Sequence, residues 1–467
     1  MTSCFDKNKT YLIFGTGITG KAGMEFCKKN NLKYYITDDN TENLKTLKID
    51  NNNIEEQNKI YSYNEDILKS KTIDYLLLSP SIHAQHDKHK IVKIAEKLNI
   101  EIIPDIDLFY CYLQEYNKKH NTNKKIIAIT GTNGKSTTTS LMAYILNHFD
   151  KKAIACGNIG LNTLLIDIEK YDYFVAEMSS YNLFLMQYCK FELSILLNIT
   201  EDHISYHGNI ENYAKAKEKS ILNSKIGIIC TDDEYTKQIV KNNDNIIQVS
   251  LNNKNDEYYY DNNKFYEKNI KIFEGEFDNL IGLHNIQNIF CSFVGAKYIL
   301  KNEIGNNKIS NQDIFDAIKS FKGLPHRNQF IKNVDGIDFY NDSKGTNADS
   351  TQKALQSFKN RPIYLIAGGQ RKTAGFYFLK NDLNNVKKVF LIGEAMDSFS
   401  KELDDLKIKY EKCKTLDNAV KQSFIEAKKE NQNRPIILLS PLCASWDQYK
   451  SFEERGDDFI KKVEKLK

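Results

Sequence analysis

The sequence predicts an α/β protein with three domains, each built around a parallel sheet. Short apolar segments end in Gly, Ser, Thr or Asn and are followed by helical patterns, which is the order of parallel α/β units. The chain has 467 residues, and at about 100–200 residues per domain this length corresponds to three domains. We expect the domains to span residues 1–117, 118–323 and 324–467.

The first segment contains predicted strands at residues 11–14, 34–37 and 75–78. The first strand runs into the pattern Gly-x-Gly-x-x-Gly at residues 15–20, and the second strand ends at Asp38. Glycines let the backbone approach a diphosphate, so this pattern is typical of dinucleotide-binding domains and raises the alternative of a dehydrogenase. A dehydrogenase, however, leaves the motifs farther along the chain without a role.

The second segment has predicted strands at residues 126–129, 174–176 and 195–197, each followed by a polar motif. In open α/β sheets, ligands bind at the edge where the strands end. Residues 251–275 differ, because Asn-rich turns between Tyr and Phe runs predict an antiparallel hairpin.

The third segment starts near Gly323. Its predicted strands lie at residues 363–366, 389–392 and 436–439. The alternation of these strands with helical patterns predicts another small doubly wound unit.

The composition argues against several classes of partner. The 65 basic and 61 acidic residues give a net charge of +4 without a long basic block, so we expect binding to neither nucleic acid nor an anionic membrane. The nine cysteines form no Cys-x-x-Cys pair and read as thiols in a reducing cytosol. No apolar run approaches the ~20 residues of a membrane span. We therefore expect a soluble, cytoplasmic protein.

The strongest local signal is a phosphate loop at residues 129–138, where the sequence is ITGTNGKSTT between a strand and a helix. Glycines let backbone N–H groups surround phosphate oxygens, Lys135 adds a positive charge, and the Ser136 hydroxyl can bind Mg²⁺. Two residues separate the glycines, whereas the strict Walker pattern has four. A plain Gly-rich turn is the alternative, but Gly-Lys-Ser between strand and helix favours a nucleotide site.

Two further side chains follow strands of the same predicted sheet. Glu177 follows residues 174–176, and His203 closes the segment Thr200-Glu201-Asp202-His203. A Mg²⁺–ATP site needs hard oxygen ligands, which Glu177 can supply. Capping of a helix by Thr200 or Asp202 is the structural alternative for the second segment, and both roles are compatible.

These motifs resemble those of the Mur ligase family, in the order and approximate spacing of that family. The resemblance covers nearly the whole chain and rests on these segments: GTNGKST at 131–137, EMSS at 177–180, NITEDH at 198–203, YAKAK at 213–217, GLHNIQN at 282–288, GLPHR at 323–327, NDSKGTN at 341–347 and CASWDQ at 443–448. The last two are similar to the member of the family that adds D-glutamate.

The resemblance implies an ATP-dependent ligase that activates a carboxylate as an acyl phosphate. The implied substrates are UDP-N-acetylmuramoyl-L-alanine, D-glutamate and ATP with Mg²⁺, and the implied domains are a Rossmann-like UDP-binding domain, a central ATPase domain and a Rossmann-like C-terminal domain. A monomer is favoured. Lys217 is expected to be carbamylated, which requires a neutral amine and hence a depressed pKa.

The same resemblance assigns residues to four overlapping roles. The catalytic residues are Lys135, Asn158, His203, Lys217 and Arg327. The metal residues are Ser136, Glu177, His203 and Lys217. The ATP-binding residues are Gly131, Thr132, Asn133, Gly134, Lys135, Ser136, Thr137, Asn288, Arg327 and Asp342. The UDP-substrate residues are Ile18, Thr19, Asp38, Ser79, Asn158 and Ser179, and the D-glutamate residues are Thr346, Lys372, Ser445 and Phe452.

The sequence departs from the family pattern at three places. Ser81 stands where the family has Gly, Asn182 stands where it has Gln, and the loop at residues 368–373 differs, so Arg371 competes with Lys372 for the D-glutamate side chain.

Two other activities remain alternatives at this point. The alanine-adding ligase and folylpolyglutamate synthase share the nucleotide motif, although folate leaves the first domain unexplained. A binding or scaffold protein that has lost catalysis conflicts with the joint presence of Lys135, Glu177, His203, Lys217 and Arg327.

Overall fold

The computed structural model of the protein describes residues 3–49, 52–53, 55–82, 88–277, 279–304, 308–358, 360–371, 374–429 and 434–466. The chain divides into two compact units, which are Met1–Glu276 with Gln287–Ile318 and Phe277–Ile286 with Lys319–Lys467. Both units are α/β structures with mainly parallel sheets, which confirms the predicted fold class.

The first sheet of the first unit has five parallel strands in the order β5-β2-β1-β6-β7. A separate antiparallel pair joins β3 to β4. The strands in chain order are β1 (Thr10–Phe14), β2 (Lys33–Thr37), β3 (Lys48–Ile49), β4 (Asn52–Asn53), β5 (Lys59–Ile60), β6 (Tyr75–Leu78) and β7 (Glu101–Ile103). The central strands β1 and β6 are buried along their whole length, as expected for a parallel sheet that is covered on both faces.

The second sheet has nine strands in the order β16-β15-β14-β13-β12-β11-β8-β10-β9. Its strands are β8 (Lys125–Thr130), β9 (Ala153–Gly157), β10 (Tyr173–Glu177), β11 (Phe191–Leu196), β12 (Ser224–Cys230), β13 (Ile246–Ser250), β14 (Tyr258–Asp261), β15 (Lys264–Glu267) and β16 (Ile270–Glu274). Pairing is parallel from β9 to β14 and antiparallel from β14 to β16. The predicted hairpin is therefore present, with one additional strand.

The sheet of the second unit has six strands in the order β17-β18-β22-β19-β20-β21. They are β17 (Gln329–Val334), β18 (Ile337–Asn341), β19 (Ile363–Gly368), β20 (Val386–Ile392), β21 (Tyr410–Lys414) and β22 (Ile436–Leu439). Only the β17–β18 pair is antiparallel among the described pairs.

Helices flank these sheets. In the first unit they are α1 (Ile18–Lys29), α2 (Thr41–Lys45), α3 (Glu65–Ser70), α4 (Lys90–Lys97), α5 (Asp105–His120), α6 (Lys135–His148), α7 (Ser180–Leu185), α8 (Ile204–His207), α9 (Ile210–Leu222), α10 (Glu234–Lys241), α11 (Leu283–Ile304) and α12 (Asn311–Ser320). The first residues of α11 and the last two of α12 are assigned to the second unit. The other helices of the second unit are α13 (Ala348–Gln356), α14 (Met396–Asp405), α15 (Leu416–Ala427) and α16 (Phe452–Glu464). None of the described helices is both long and apolar enough to cross a membrane.

Helix α5 joins the two sheets of the first unit through one hydrophobic core. Phe109 on this helix packs edge-on against Phe174 of β10, with ring centroids 5.0 Å apart. The Asp107 carboxylate, which is fully buried, accepts hydrogen bonds from the backbone N–H groups of residues 187, 188 and 189 at 2.6, 3.0 and 2.8 Å. The two sheets thus belong to one compact unit.

Candidate active site

The phosphate loop lies between β8 and α6, as predicted. Gly134 has a φ of +85° and directly precedes α6, so the first turn of the helix directs its N–H groups toward the loop. The Lys135 ammonium donates hydrogen bonds to the carbonyls of Gly131 and Thr132 at 2.9 and 2.8 Å. Ser136 is half-buried in the first helical turn.

Neighbouring segments fix the shape of this loop. The amide of Asn198 brackets Asn133, since its oxygen accepts from the Asn133 N–H at 2.8 Å and its nitrogen donates to the Asn133 carbonyl at 3.3 Å. The Thr132 hydroxyl accepts from the Thr200 N–H at 3.0 Å and lies 3.0 Å from the Tyr213 hydroxyl. The loop is therefore held in place by backbone and side-chain bonds from the adjacent sheet edge.

Asn288 of α11 closes the loop on its other side. Its side-chain oxygen accepts from the Thr138 hydroxyl at 3.2 Å, and a Cβ added to Gly134 would come within 2.2 Å of the same oxygen. The structure thus brings Asn288 to the predicted nucleotide site, and only glycine fits this close approach.

Lys217 of α9 is the most unusual charged residue at the site, because only 1% of it is exposed. Its ammonium donates to the Gly131 carbonyl at 2.8 Å and to the Thr130 hydroxyl at 3.3 Å. Burial, followed by the positive charge of Lys135, lowers the pKa of Lys217 well below its ordinary value, while Asp202 and Glu177 oppose this shift. A neutral amine beside the phosphate loop is the form that carbamylation requires.

Glu177 fits a hard metal ion. It ends β10, is 7% exposed, and its Oε2 atom is buried without a hydrogen-bond partner among the described residues. A buried carboxylate oxygen of this kind is costly unless a cation or donor reaches it. In the described part of the chain no three His, Cys, Asp or Glu side chains form a ready-made metal cage. An ion here would therefore depend on phosphate oxygens and on residues such as Ser136.

His203 sits at the start of α8 in the left-handed region, with a φ of +54°. Its ring is partly exposed, and Asp202 Oδ2 lies 3.4 Å from Nε2. Burial lowers the pKa of His203, the Asp202 carboxylate opposes the shift, and the positive charges of Lys217 and Lys135 add to it. The neutral imidazole is thus favoured near pH 7.

Two predicted UDP-substrate residues lie beside Glu177. Asn158 donates its backbone N–H to the Glu177 carbonyl at 3.2 Å, and its side chain is exposed. Ser179 caps α7 by a reciprocal capping box with Asn182, whose N–H it accepts at 3.1 Å. Asn182, which stands where the family pattern has Gln, therefore has a structural role in capping α7.

The other four predicted UDP-substrate residues surround a single open cavity of about 870 Å³ at the edge of the first sheet. They are Ile18, Thr19, Asp38 and Ser79. Asp38 accepts hydrogen bonds from the backbone N–H and the hydroxyl of Thr16 at 2.8 and 2.7 Å, so it also braces the glycine loop. Ile18 is 81% exposed at the start of α1.

In the second unit, Asp342 and Arg327 are brought together. Asp342 is buried and accepts from the Ser440 hydroxyl at 2.7 Å and from the Asn328 N–H at 3.3 Å. Burial raises the pKa of Asp342 to about 7, although these hydrogen bonds and the Arg327 charge oppose the shift. The Arg327 side chain is exposed.

The three described residues predicted to bind D-glutamate come from segments that one buried arginine ties together. These residues are Thr346, Ser445 and Phe452. Arg455 of α16, which is 1% exposed, donates to the Ser343 hydroxyl and carbonyl at 3.0 and 2.9 Å and to the Cys443 carbonyl at 3.1 Å. The Ser343 hydroxyl in turn donates to the Phe452 carbonyl at 2.8 Å.

Lys372, the fourth of these residues, lies outside the described residues. Its competitor Arg371 forms an ion pair with the buried Glu402 at 2.6 Å, and its guanidinium lies 5.2 Å from the centre of the Phe399 ring.

The sequence predicts no role for Tyr181, Tyr213, Asn198 or Arg455. Asn198 and Tyr213 open the NITEDH and YAKAK motifs, which indicate that they belong to the site. Arg455 could have been found from its helix, because it stands three residues after Phe452 and four before Phe459 on the apolar face. Nothing in the sequence around Tyr181 singles it out.

Known proteins share these features. Residues 129–296 match the Mur ligase middle domain, and residues 326–441 match the Mur ligase glutamate ligase domain. The UDP-N-acetylmuramoylalanine–D-glutamate ligase of Wolbachia sp. subsp. Brugia malayi (strain TRS) is 35% identical over 99% of this chain and 97% of its own length. The chain belongs to the Mur ligase family. The ligase of the same name from Rickettsia bellii (strain RML369-C) is 34% identical, with 97% of each chain covered.

Solved structures of Mur ligases share the fold. The UDP-N-acetylmuramoyl-L-alanyl-D-glutamate–2,6-diaminopimelate ligase superposes with a TM-score of 0.58 at 17% identity, over 91% of this chain and 99% of that one. The UDP-N-acetylmuramate–alanine ligase of Thermotoga maritima gives a TM-score of 0.56 at 18% identity, over 98% and 99%. As a Mur ligase, the protein is an ATP-dependent enzyme that forms amide bonds.

Proposed function

We propose that this Mur ligase joins D-glutamate to UDP-N-acetylmuramoyl-L-alanine, with ATP converted to ADP and phosphate, in cytoplasmic peptidoglycan precursor synthesis. The buried Lys217 amine and a buried Glu177 oxygen that has no hydrogen-bond partner among the described residues, both beside the phosphate loop, support this reaction class. The choice of D-glutamate is supported by the relatives that match nearly the whole chain and bear that name.

Each proposed domain has one task. Residues 1–117 form a Rossmann-like domain for the UDP substrate, residues 118–323 form the ATP-binding domain, and residues 324–467 form a Rossmann-like domain for the amino acid. The five-, nine- and six-stranded sheets each lie within one of these ranges, which supports the division. We also propose that the protein acts as a monomer.

In the first step the L-alanyl carboxylate attacks the γ-phosphorus of ATP, and an acyl phosphate and ADP form. This transfer depends on positioning and on neutralising charge. Lys135 and the loop N–H groups bind the phosphates, Arg327 accompanies the transferred group, and Asn158 lies near the carboxylate. Asn288 and Asp342 bind the rest of the nucleotide, Asp342 through ribose hydroxyls.

Mg²⁺, when bound, offsets the phosphate charge, and the residues proposed to hold it are Ser136, Glu177, His203 and Lys217. The Lys217 amine adds to CO₂ and loses a proton, which forms a carbamate anion. Support for this comes from its burial and depressed pKa. A carbamate in this place is an oxygen ligand with the charge of a carboxylate.

In the second step the D-glutamate amine attacks the acyl carbon, an amide bond forms and phosphate leaves. The attacking amine must lose a proton. His203 is one candidate acceptor, since its lowered pKa keeps the ring neutral near pH 7. Its position near Lys217 is equally compatible with a role as a ligand of Mg²⁺.

D-Glutamate is proposed to bind Thr346, Lys372, Ser445 and Phe452. The pairing of Arg371 with Glu402 favours Lys372 as the group that meets the side-chain carboxylate. The UDP moiety is proposed to occupy the cavity lined by Ile18, Thr19, Asp38 and Ser79, with its glycine loop against the diphosphate.

Phosphate release with ATP, Mg²⁺ and UDP-N-acetylmuramoyl-L-alanine tests the proposal, with D-glutamate compared against L-glutamate, L-alanine and glycine. We expect release, and a new amide by mass spectrometry, only with D-glutamate. An amide with another amino acid would contradict the substrate assignment. Nucleotide binding without an amide from any acceptor would contradict the reaction.

A further inference from the structure

The loop at residues 157–162 carries Asn158, which the proposed mechanism places near the reacting carboxylate. One end of this loop is held against β10. The Asn158 N–H donates to the Glu177 carbonyl at 3.2 Å. Gly157 has a φ of +90°, and a Cβ added to it would come within 2.5 Å of the same carbonyl oxygen. The backbone that leads into Asn158 is therefore tightly confined, whereas its side chain is exposed.

The other end of the loop is held by Asn162, whose side-chain amide has a partner at each of its two polar atoms. The oxygen caps the turn Thr163–Leu165 by accepting from the Leu164 N–H at 3.0 Å. The nitrogen donates to Asp105 Oδ2 at 2.7 Å. Because the oxygen is committed to the turn, the amide plane is oriented and its nitrogen points at the carboxylate. This contact ties the end of the loop to α5.

Asp105 is the first residue of α5, and only 8% of it is exposed. Its second carboxylate oxygen, Oδ1, accepts from the Ile106 N–H at 2.9 Å. A buried carboxylate requires such donors, and a hydrogen bond to a charged acceptor is stronger than one between neutral groups. The bond from Asn162 is thus a strong contact between two elements that lie far apart in the chain.

The turn that Asn162 caps also packs beside the helices of the first sheet. Leu164, which is 5% exposed, belongs to the hydrophobic core that includes Met24 of α1 and Phe109 of α5. Helix α1 begins at Ile18, which lines the proposed UDP cavity. The position of Asn158 relative to that cavity therefore depends on how this turn is fixed to α5.

We propose that Asp105 is a positioning residue for Asn158. Its carboxylate holds the Asn162 amide and thereby fixes the loop where the exposed Asn158 side chain meets the acyl end of a substrate bound by its UDP moiety. The effect on turnover rests on the proposed function. The anchoring of the loop is a property of the free enzyme and does not depend on the identity of the substrates.

Hydrogen exchange measured by mass spectrometry tests the anchoring without any substrate. Asp105→Ala should speed the exchange of residues 157–165 about tenfold, because the loop loses a strong contact at one end. Asp167→Ala is the matched control, since the partly exposed Asp167 caps the next turn, Ile168–Lys170. Loss of that cap should leave residues 157–162 unchanged. Unchanged exchange of the loop in Asp105→Ala would overturn the proposal.

An exchange of the two side chains tests the contact itself. In Asn162→Asp two carboxylates face each other, so the loop should exchange faster. In the double variant Asp105→Asn/Asn162→Asp an amide again faces a carboxylate, and the acid at position 162 can still accept from the Leu164 N–H. Exchange should then return to within about threefold of the wild-type rate, because the paired groups are restored. A double variant that exchanges as fast as Asn162→Asp would refute the pairing.

Kinetics test the positioning role. Displacement of a group that orients the substrate lowers turnover strongly, so Asp105→Ala should lower kcat about tenfold or more while the KM for ATP stays within a factor of about two. If Asp105 acts through Asn158, Asp105→Ala should cause less than about a twofold further loss in the Asn158→Ala background, as expected for coupled residues. Multiplication of the two effects would refute the positioning role. Failure of the wild type to form the amide would instead refute the proposed function, and the exchange rates would then decide whether Asp105 anchors the loop.

Discussion

Lys217 shows how one side chain can combine a structural anomaly with a chemical requirement. An isolated buried ammonium is costly, and proteins relieve that cost by neutralising the amine. Here the amine donates a hydrogen bond to the Gly131 carbonyl, and Lys135 and the buried Glu177 carboxylate lie near enough to affect its pKa. The neutral amine is the nucleophile that reacts with CO₂.

The Lys217→Ala variant is expected to lose about 100-fold or more in kcat, because the site loses the proposed carbamate ligand. Lys215→Ala is the matched control, since Lys215 lies on the exposed side of the same helix. Steady-state phosphate release in buffers with and without bicarbonate measures the kcat of each variant and its dependence on CO₂. Full activity of the wild type in CO₂-free buffer would contradict the carbamate.

Asp342 predicts a pH dependence of stability. Its pKa is about 7 in the folded protein against an ordinary 3.8, so the native state binds more protons than the unfolded state between these values. The free energy of unfolding should therefore fall as pH rises through this window, by up to about 1.4 kcal/mol per pH unit. Asp342→Asn should remove this slope.

Urea titrations from pH 5 to 8 can measure how the free energy of unfolding depends on pH, with the fluorescence of Trp446 as the reporter. Trp446 is the single tryptophan of the chain and belongs to the same unit as Asp342. If the free energy of unfolding depends on pH equally in the wild type and in Asp342→Asn, folding does not raise the pKa of Asp342.

Among the elements, the turn into α6 has little tolerance for a larger residue. Gly134→Ala adds a Cβ that would meet Asn288 Oδ1 at 2.2 Å in a left-handed turn. We expect the affinity for ADP to fall about tenfold, since strain and the displaced loop cost at least about 1–2 kcal/mol. Calorimetric titration with ADP checks this.

Gly336→Ala separates the effect of backbone strain from that of the clash with Asn288. Gly336 has a similar φ of +82°, but, apart from its chain neighbours, no atom of the described residues lies within 4 Å of an added Cβ. This variant should lose some stability and keep its affinity for ADP. Equal affinities for Gly134→Ala and the wild type would contradict the close packing of Asn288 on the loop.

Helix α5 predicts a second effect at the level of elements. In Asp107→Ala the N–H groups of residues 187–189 lose their acceptor, at a cost of about 3 kcal/mol. Hydrogen exchange measured by mass spectrometry should show faster exchange of this segment. Glu115→Ala, an exposed acid on the same helix, should leave exchange unchanged. Slow exchange in Asp107→Ala would show that other contacts hold the segment.

For the whole molecule, the sequence predicts the sheets and the phosphate loop well, because both depend on local patterns. Apolar strands followed by glycines mark β1, β8 and β19 within one or two residues of their observed ends. Contacts such as Tyr181 with His203 could not be predicted, since they depend on how separate elements pack. The same holds for Asp107, whose three partners lie 80 or more residues away.

We propose that the protein activates the L-alanyl carboxylate as an acyl phosphate before D-glutamate attacks. UDP-N-acetylmuramoyl-L-alanine labelled with ¹⁸O in its carboxylate tests this directly, with mass analysis of the phosphate released in the presence of ATP, Mg²⁺ and D-glutamate. We predict one ¹⁸O atom in each phosphate, because the leaving oxygen comes from the carboxylate. Amide formation with unlabelled phosphate would contradict an acyl-phosphate intermediate.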